Sequence, residues 1–158
     1  MRIYNVRFPV TTPSASNVAL LSFVAGSAKT VMILEMDFEG MGNVAANAEF
    51  AWYRWGASSF GTNSNIATPT AIDGTNTAAS TTVYIGNTGW TIQPTFSTSS
   101  FNFFLNANGQ RYFWRANPNL NNAICLDAPT TNYGISLALS TGTPANCLIA
   151  GRVQFAEI

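Results

Sequence analysis

Apolar residues in this chain recur with period two or in short runs, with no sustained helical spacing anywhere. A strand points successive side chains to opposite faces, whereas a helix repeats its apolar stripe about every 3.6 residues, so the pattern selects strands. Lys29 to Phe38 is the clearest case. On an unbroken strand Met32, Leu34, Met36 and Phe38 share one face and Val31, Ile33, Glu35 and Asp37 the other. Glu49 to Trp55 likewise separates Phe50, Trp52 and Arg54 from Ala51, Tyr53 and Trp55. Ile3 to Phe8, Val18 to Val24, Ala123 to Asp127, Ile135 to Ser140 and Leu148 to Glu157 complete the single strands, each bounded by Gly, Pro, Asn, Ser or Thr. In the last of these, Ile149, Val153 and Phe155 oppose Arg152 and Gln154, with Gly151 between.

Two hairpins are predicted. One joins Thr81–Ile85 to Trp90–Phe96 across Gly86-Asn87-Thr88-Gly89, and the other joins Phe101–Leu105 to Gln110–Arg115 across Asn108-Gly109. About ten short strands with turns every 8–12 residues point to an all-β, antiparallel β-sandwich or closed barrel, with a jelly roll as first choice. At 158 residues the chain is expected to form a single domain, residues 1–158, with an extended N-terminal segment (about 1–13) and a long loop (about 56–80). That loop is rich in Ser, Thr, Asn, Gly and Ala, carries an Asp73-Gly74 turn signal, and has room for a short strand at Ile66–Thr70. A long loop in a compact domain usually has a function of its own.

Charged residues make up only 9% of the chain, against about 25% in an average domain, while Asn, Thr and Ser supply 48 of its 158 residues. One lysine and six arginines scattered along the sequence leave no basic footprint for nucleic acid. The absence of histidine excludes every mechanism that needs an imidazole base or ligand. No Gly-x-Ser-x-Gly elbow and no Gly-rich phosphate loop ahead of a helix is present, and Cys125 has no Lys or His beside it in sequence to activate it. We therefore expect no enzyme, with no catalytic, cofactor-binding or metal residues. Cys125 and Cys147 lie in apolar surroundings and are expected as free thiols, although pairing stays open. The first residues contain no apolar h-region, and Val18–Ala28 is too short and too interrupted to span a bilayer, so synthesis in a cytoplasm is the expectation.

Two constellations compete with that reading. Glu35, Asp37 and Glu39 share a strand face and could in principle hold Ca²⁺ or act as glycosidase carboxylates, but a solvated or interface-facing strand edge fits them better. Trp52, Tyr53, Trp55, Trp90, Tyr112, Phe113 and Trp114 could stack on sugar rings, although half of any aromatic strand must point inward and packing accounts for most of them. The strands of Trp52 and Trp114 are expected to be covered on both faces, by the core on one and a neighbouring subunit on the other. A surface almost free of Lys and rich in Asn, Thr, Ser, Arg and aromatics favours a permanent assembly.

The opening Ile3-Tyr4-Asn5-Val6-Arg7-Phe8, followed by Thr11-Thr12-Pro13-Ser14-Ala15, resembles the start of small virion proteins of tailed bacteriophages. The aromatic strand Arg111-Tyr112-Phe113-Trp114-Arg115-Ala116-Asn117-Pro118 and the closing Gly151-Arg152-Val153-Gln154-Phe155-Ala156-Glu157 are similar to segments of the same proteins. The resemblance implies a head decoration or cement protein with a jelly-roll-like sandwich. Such a protein is made in the host cytoplasm and binds the major capsid protein on the outside of an icosahedral shell. It also implies a homo-oligomer, a homotrimer for preference and a dimer at two-fold positions otherwise, with no nucleic-acid or membrane partner and no cofactor. The segment up to Pro13 or the 56–80 loop would then reach the capsid. The alternative is a carbohydrate-binding or receptor-binding β-sandwich module, such as a tail or fibre tip, using Trp55 or Trp90. A glycosidase on Glu35 and Asp37 is a third reading.

Overall fold

A computed structural model describes the chain except for residues 27–28, 57–60, 73–77, 87, 98, 121–122 and 128–132. In chain order the strands are β1 (Arg2–Thr11), β2 (Ala19–Val24), β3 (Thr30–Met41), β4 (Asn47–Trp55), β5 (Thr62–Asn63), β6 (Ile66–Ala67) and β7 (Thr70–Ala71). They continue as β8 (Thr82–Ile85), β9 (Trp90–Ile92), β10 (Ser99–Asn106), β11 (Asn108–Arg115), β12 (Ile124–Asp127), β13 (Gly134–Thr141) and β14 (Ile149–Glu157). A single 3-10 turn, Pro144–Asn146, is the one helical element among the described residues.

The long strands pair as a nested antiparallel ribbon: β4 with β10, β3 with β11, β2 with β13 and β1 with β14. Folded over, that ribbon yields a front sheet ordered β11-β3-β14-β1-β7 and a back sheet ordered β10-β4-β13-β2-β8-β6, while β12 continues the β11 edge along the first half of β3. This nesting is jelly-roll connectivity, and the expected all-β sandwich is the fold. Between the sheets lies an aromatic core. Phe103 stacks on Phe38, Phe50 and Tyr112, and Phe155 packs on Tyr4 and Phe23. Trp52 donates its indole N–H to Met36 Sδ at 2.9 Å within that core.

Residues 2–11 are not an extended arm. Tyr4, Val6 and Phe8 are buried, and the strand is laddered to β14 from Arg2 to Thr11. The β3 alternation is also broken, because Glu35 pairs with Gln154 and Ile33 with Phe155, leaving Leu34 as a bulge. The core residues are therefore Val31 and Ile33 before the bulge and Met36 and Phe38 after it, rather than one unbroken face.

Neither predicted hairpin forms. β8 pairs with β2 and β6, whereas β9 pairs with β5. Across Asn108-Gly109 the chain does turn sharply, with Gly109 at φ +73°, but it crosses from the back sheet to the front one and β10 and β11 share no ladder. Dipeptide chemistry fixes the turn; long-range burial of Phe103 and Leu105 on one sheet and Tyr112 and Trp114 on the other chooses the partners.

The β4–β10 connection, which contains the predicted 56–80 loop, is an insertion with structure of its own. Its β7 pairs with β1 at Tyr4 and Asn5, and its β8 and β6 extend the back sheet beyond β2, so both sheets gain short outer strands along this lateral side. The Glu157 carboxylate accepts the Thr81 amide at 2.6 Å, tying the insertion to β14. The expected Ile66–Thr70 strand is two shorter ones, and Asp73-Gly74 lies outside the described residues. Residues 90–97 then run across the outer face of the back sheet. Trp90 donates to the Ala19 carbonyl at 3.1 Å, Phe96 stacks on Tyr53 at 4.8 Å, and the Ser97 amide donates to the Arg54 carbonyl at 2.8 Å. Beneath and beside that crossing, between the Tyr53 and Trp55 rings and β2, the sheet presents small side chains, and Ser22, Ala51, Ser136 and Ala138 are fully buried. The second face of β4 is thus covered by the chain itself.

Candidate functional site: the open face of the front sheet

The outer face of the front sheet is built from alternate residues of β1, β14, β3 and β11. The registers set Asn5, Gln154, Glu35 and Arg115 in one row and Arg7, Arg152, Asp37 and Phe113 in the next. Ala150, Glu39 and Arg111 form a third. Seven of the chain's fourteen Asp, Glu, Lys and Arg residues therefore occupy one face of one sheet. The arginines that look scattered in sequence converge here, four of the six.

The charges are interlocked. Arg111 grips Asp37 through two bonds, Nε to Oδ1 at 2.6 Å and a terminal nitrogen to Oδ2 at 2.7 Å, the planar fork-on-carboxylate geometry. Arg115 binds Glu35 Oε2 through Nε at 2.8 Å, and Arg152 binds the same carboxylate at Oε1, 3.0 Å away. Arg152 also reaches Asp37 at 3.5 Å and so links the two acids. Glu35 is the sunken member, its side chain only 4% exposed, whereas the Arg111 and Arg115 side chains remain 65% and 67% exposed. The Arg111 guanidinium holds the Asp37 carboxyl below its ordinary range, and Asp37 in turn raises Arg111. Phe113, half exposed, lies under the Arg115 guanidinium at 6.0 Å. A groove of about 880 Å³ opens beside the array, bounded by Arg7, Pro9, Asp37, Glu39, Arg111 and Arg152.

Glu35, Asp37 and Glu39 do share a face, as the spacing predicts. They do not form a strand edge: β3 is flanked by β14 on one side and by β11 and β12 on the other. Among the described residues no group of three or more His, Cys, Asp or Glu is arranged to hold a metal ion. The aromatics are mostly packing. Trp52 is buried in the core, and Trp55 is 2% exposed on the back face, donating to Ser136 Oγ at 2.8 Å. Trp90 spends its N–H on the Ala19 and Gly86 carbonyls. Tyr112 and Trp114 are half-buried against Phe103 and Phe101, and burial pushes the Tyr112 hydroxyl up. Cys125 and Cys147 are free thiols, both raised by burial.

No family model, curated protein or solved structure matches the chain.

The site's chemistry therefore rests on its own geometry. Acids and guanidiniums fixed against one another change little on docking, and the exposed guanidinium edges keep N–H donors directed at solvent. Such a surface suits a partner that carries carboxylates and carbonyls in matching register. Sequence reasoning missed Arg111, Arg115 and Arg7 as members of this site. The available signal was the alternation of Arg111, Phe113 and Arg115 against Tyr112 and Trp114, which marks one face of β11 as polar.

Proposed function

We propose that the chain is a non-enzymatic structural protein of a bacteriophage virion, a head decoration or cement protein that binds the major capsid protein on the outside of the shell as a homo-oligomer. The observation that carries this reading is the inequality of the two outer faces: residues 90–97 cover the back sheet over β2 and β4, while the front sheet leaves a rigid, charge-matched array open. Jelly rolls are a recurrent architecture of viral shells, which supports the same reading. The capsid contact moves accordingly. Residues 2–11 are a core strand, so the front face takes the docking role in place of an N-terminal arm. A protein that binds only the assembled shell stabilises it by mass action summed over many sites. The sugar-binding alternative finds its two candidate rings occupied, Trp55 buried and Trp90 hydrogen-bonded internally.

The test is co-sedimentation of the full chain with DNA-free heads of the phage that encodes it, followed by heating of the heads. Saturable binding that raises the temperature of head disruption is expected. Heads that neither bind the protein nor gain stability would refute the assignment.

A further inference from the structure

The two lateral sides of the sandwich end differently. On the β1/β2 side, the insertion lays β7 on the start of β1, β8 on β2 and β6 on β8, and the outermost strands there are only two residues long. On the opposite side the back sheet ends in β10, an eight-residue strand with nothing paired to its outer edge among the described residues. Natural edge strands are usually guarded by Lys, Pro, a bulge or brevity. β10 reads Ser-Ser-Phe-Asn-Phe-Phe-Leu-Asn, without one charged residue or proline, and after a register shift between Ser99 and Phe101 its ladder with β4 runs unbroken from Phe101 to Asn106. Phe104 stands on its outer face 69% exposed, the highest exposure of any phenylalanine there or on β11.

We propose that β10 is a self-association edge: two copies of the chain pair β10 to β10, antiparallel about a two-fold axis, into one continuous sheet through both back sheets. Two observations select a second copy as the occupant. A cyclic ring larger than a dimer needs two different binding sides on each subunit. On the other side β7 covers β1 at Tyr4 and Asn5, and the rest of β1 is guarded by Arg7, Pro9 and a register break between Phe8 and Thr11, so β10 is the one long edge without a charge or proline among the described residues, and self-pairing through it is isologous. The seam is also electrically neutral, so identical strands meet with no like charges across it. The neighbouring β11 differs: it carries Arg111 and Arg115, which would set like charges near one another across a self-paired seam. A register centred on Phe103 sets Phe104 of each copy against Asn102 of the other and joins the Phe101, Phe103 and Leu105 faces into one extended core. The proposal deepens the homo-oligomer of the previous section, resting on that reading only for its purpose, and it replaces a trimer by a dimer.

The experiment is light scattering on the full chain over a wide concentration series, with wild type beside Phe104→Lys and Asn102→Arg, each checked for strand content by circular dichroism. Wild type is expected at twice the 16.9 kDa chain mass, and the folded variants at the single-chain mass. Both substitutions are at exposed positions outside the core, so if one variant fails to fold the other still decides. A wild type that is monomeric throughout, or trimeric, overturns the proposal, as does a dimer that survives both substitutions. Head binding is read separately. A monomeric wild type that still co-sediments with heads would fail this inference and spare the decoration reading, while a dimer that ignores heads would do the reverse.

Discussion

The back face and the front face of this sandwich solve the same problem in opposite ways. Each has three adjacent strands whose alternate side chains point away from the core. On the back face these are Ser22, Ala51, Ser136 and Ala138, flat enough for the chain to cross them and for Trp55 to lie over Gly134. A Cβ on Gly134 would stand 2.1 Å from the Trp55 ring, so glycine is what lets the indole sit there. On the front face they are Glu35, Asp37, Arg111, Arg115 and Arg152, which satisfy one another and leave their outer edges to solvent. Small residues mark a face that the chain covers itself, and interlocked charges mark one that it leaves open.

The sharpest way to break that contrast is to empty the back face. Trp55→Ala should cost about 3–5 kcal/mol, the usual range for deleting a buried Trp or Phe, read as a lower midpoint in urea unfolding. A loss below about 1 kcal/mol would mean that the covering layer contributes little. On the front face, Glu35→Ala strands two arginines that remain largely exposed, so its cost should lie at the low end of the range for broken buried pairs, about 3 kcal/mol by the same titration. Next comes Ser136→Ala, which leaves the Trp55 indole N–H without its acceptor and should cost about 1–2 kcal/mol.

The smallest effects should be on the exposed rim. Arg115→Ala is expected to lose about 1 kcal/mol or less, since Arg115 is largely exposed and the sunken Glu35 keeps Arg152 as its partner. For Asp37 the sign follows from linkage. Its folded pKa is depressed by Arg111, so its stabilising contribution is complete above the ordinary value of 3.8 and is lost as pH falls through that value towards the depressed one. The stability gap between wild type and Asp37→Asn should therefore be present at neutral pH and shrink below 3.8 in urea titrations at each pH. A gap that widens on acidification would contradict the Arg111–Asp37 geometry.

What could be read in the sequence was local. Period-two alternation located β1, β3, β4 and β14, and the separation of Arg152 and Gln154 from Val153 and Phe155 placed the polar face of β14 correctly. The acidic face of β3 followed from spacing alone. The bulge at Leu34 escaped because Val-Met-Ile-Leu is apolar at every position, so alternation carries no phase there. The hairpins were misread because a turn signal fixes how the chain bends and not which strand accepts the ladder. The buried outer face of the back sheet was invisible, since the residues that cover Tyr53 and Ala19 lie some tens of positions away in the chain. The arginine array was hidden likewise: Arg7, Arg111, Arg115 and Arg152 meet only through the long-range pairing of β1, β14, β3 and β11.

The most direct test of the unequal faces compares head binding by three proteins in one co-sedimentation assay: wild type, an Arg111→Glu/Arg115→Glu variant of the front face, and a Thr95→Glu variant at an exposed position of the segment that covers the back face. The account predicts that wild type and Thr95→Glu bind equally and that the folded front-face variant does not bind. Binding that survives charge reversal on the front face, or is lost with Thr95→Glu alone, would contradict it.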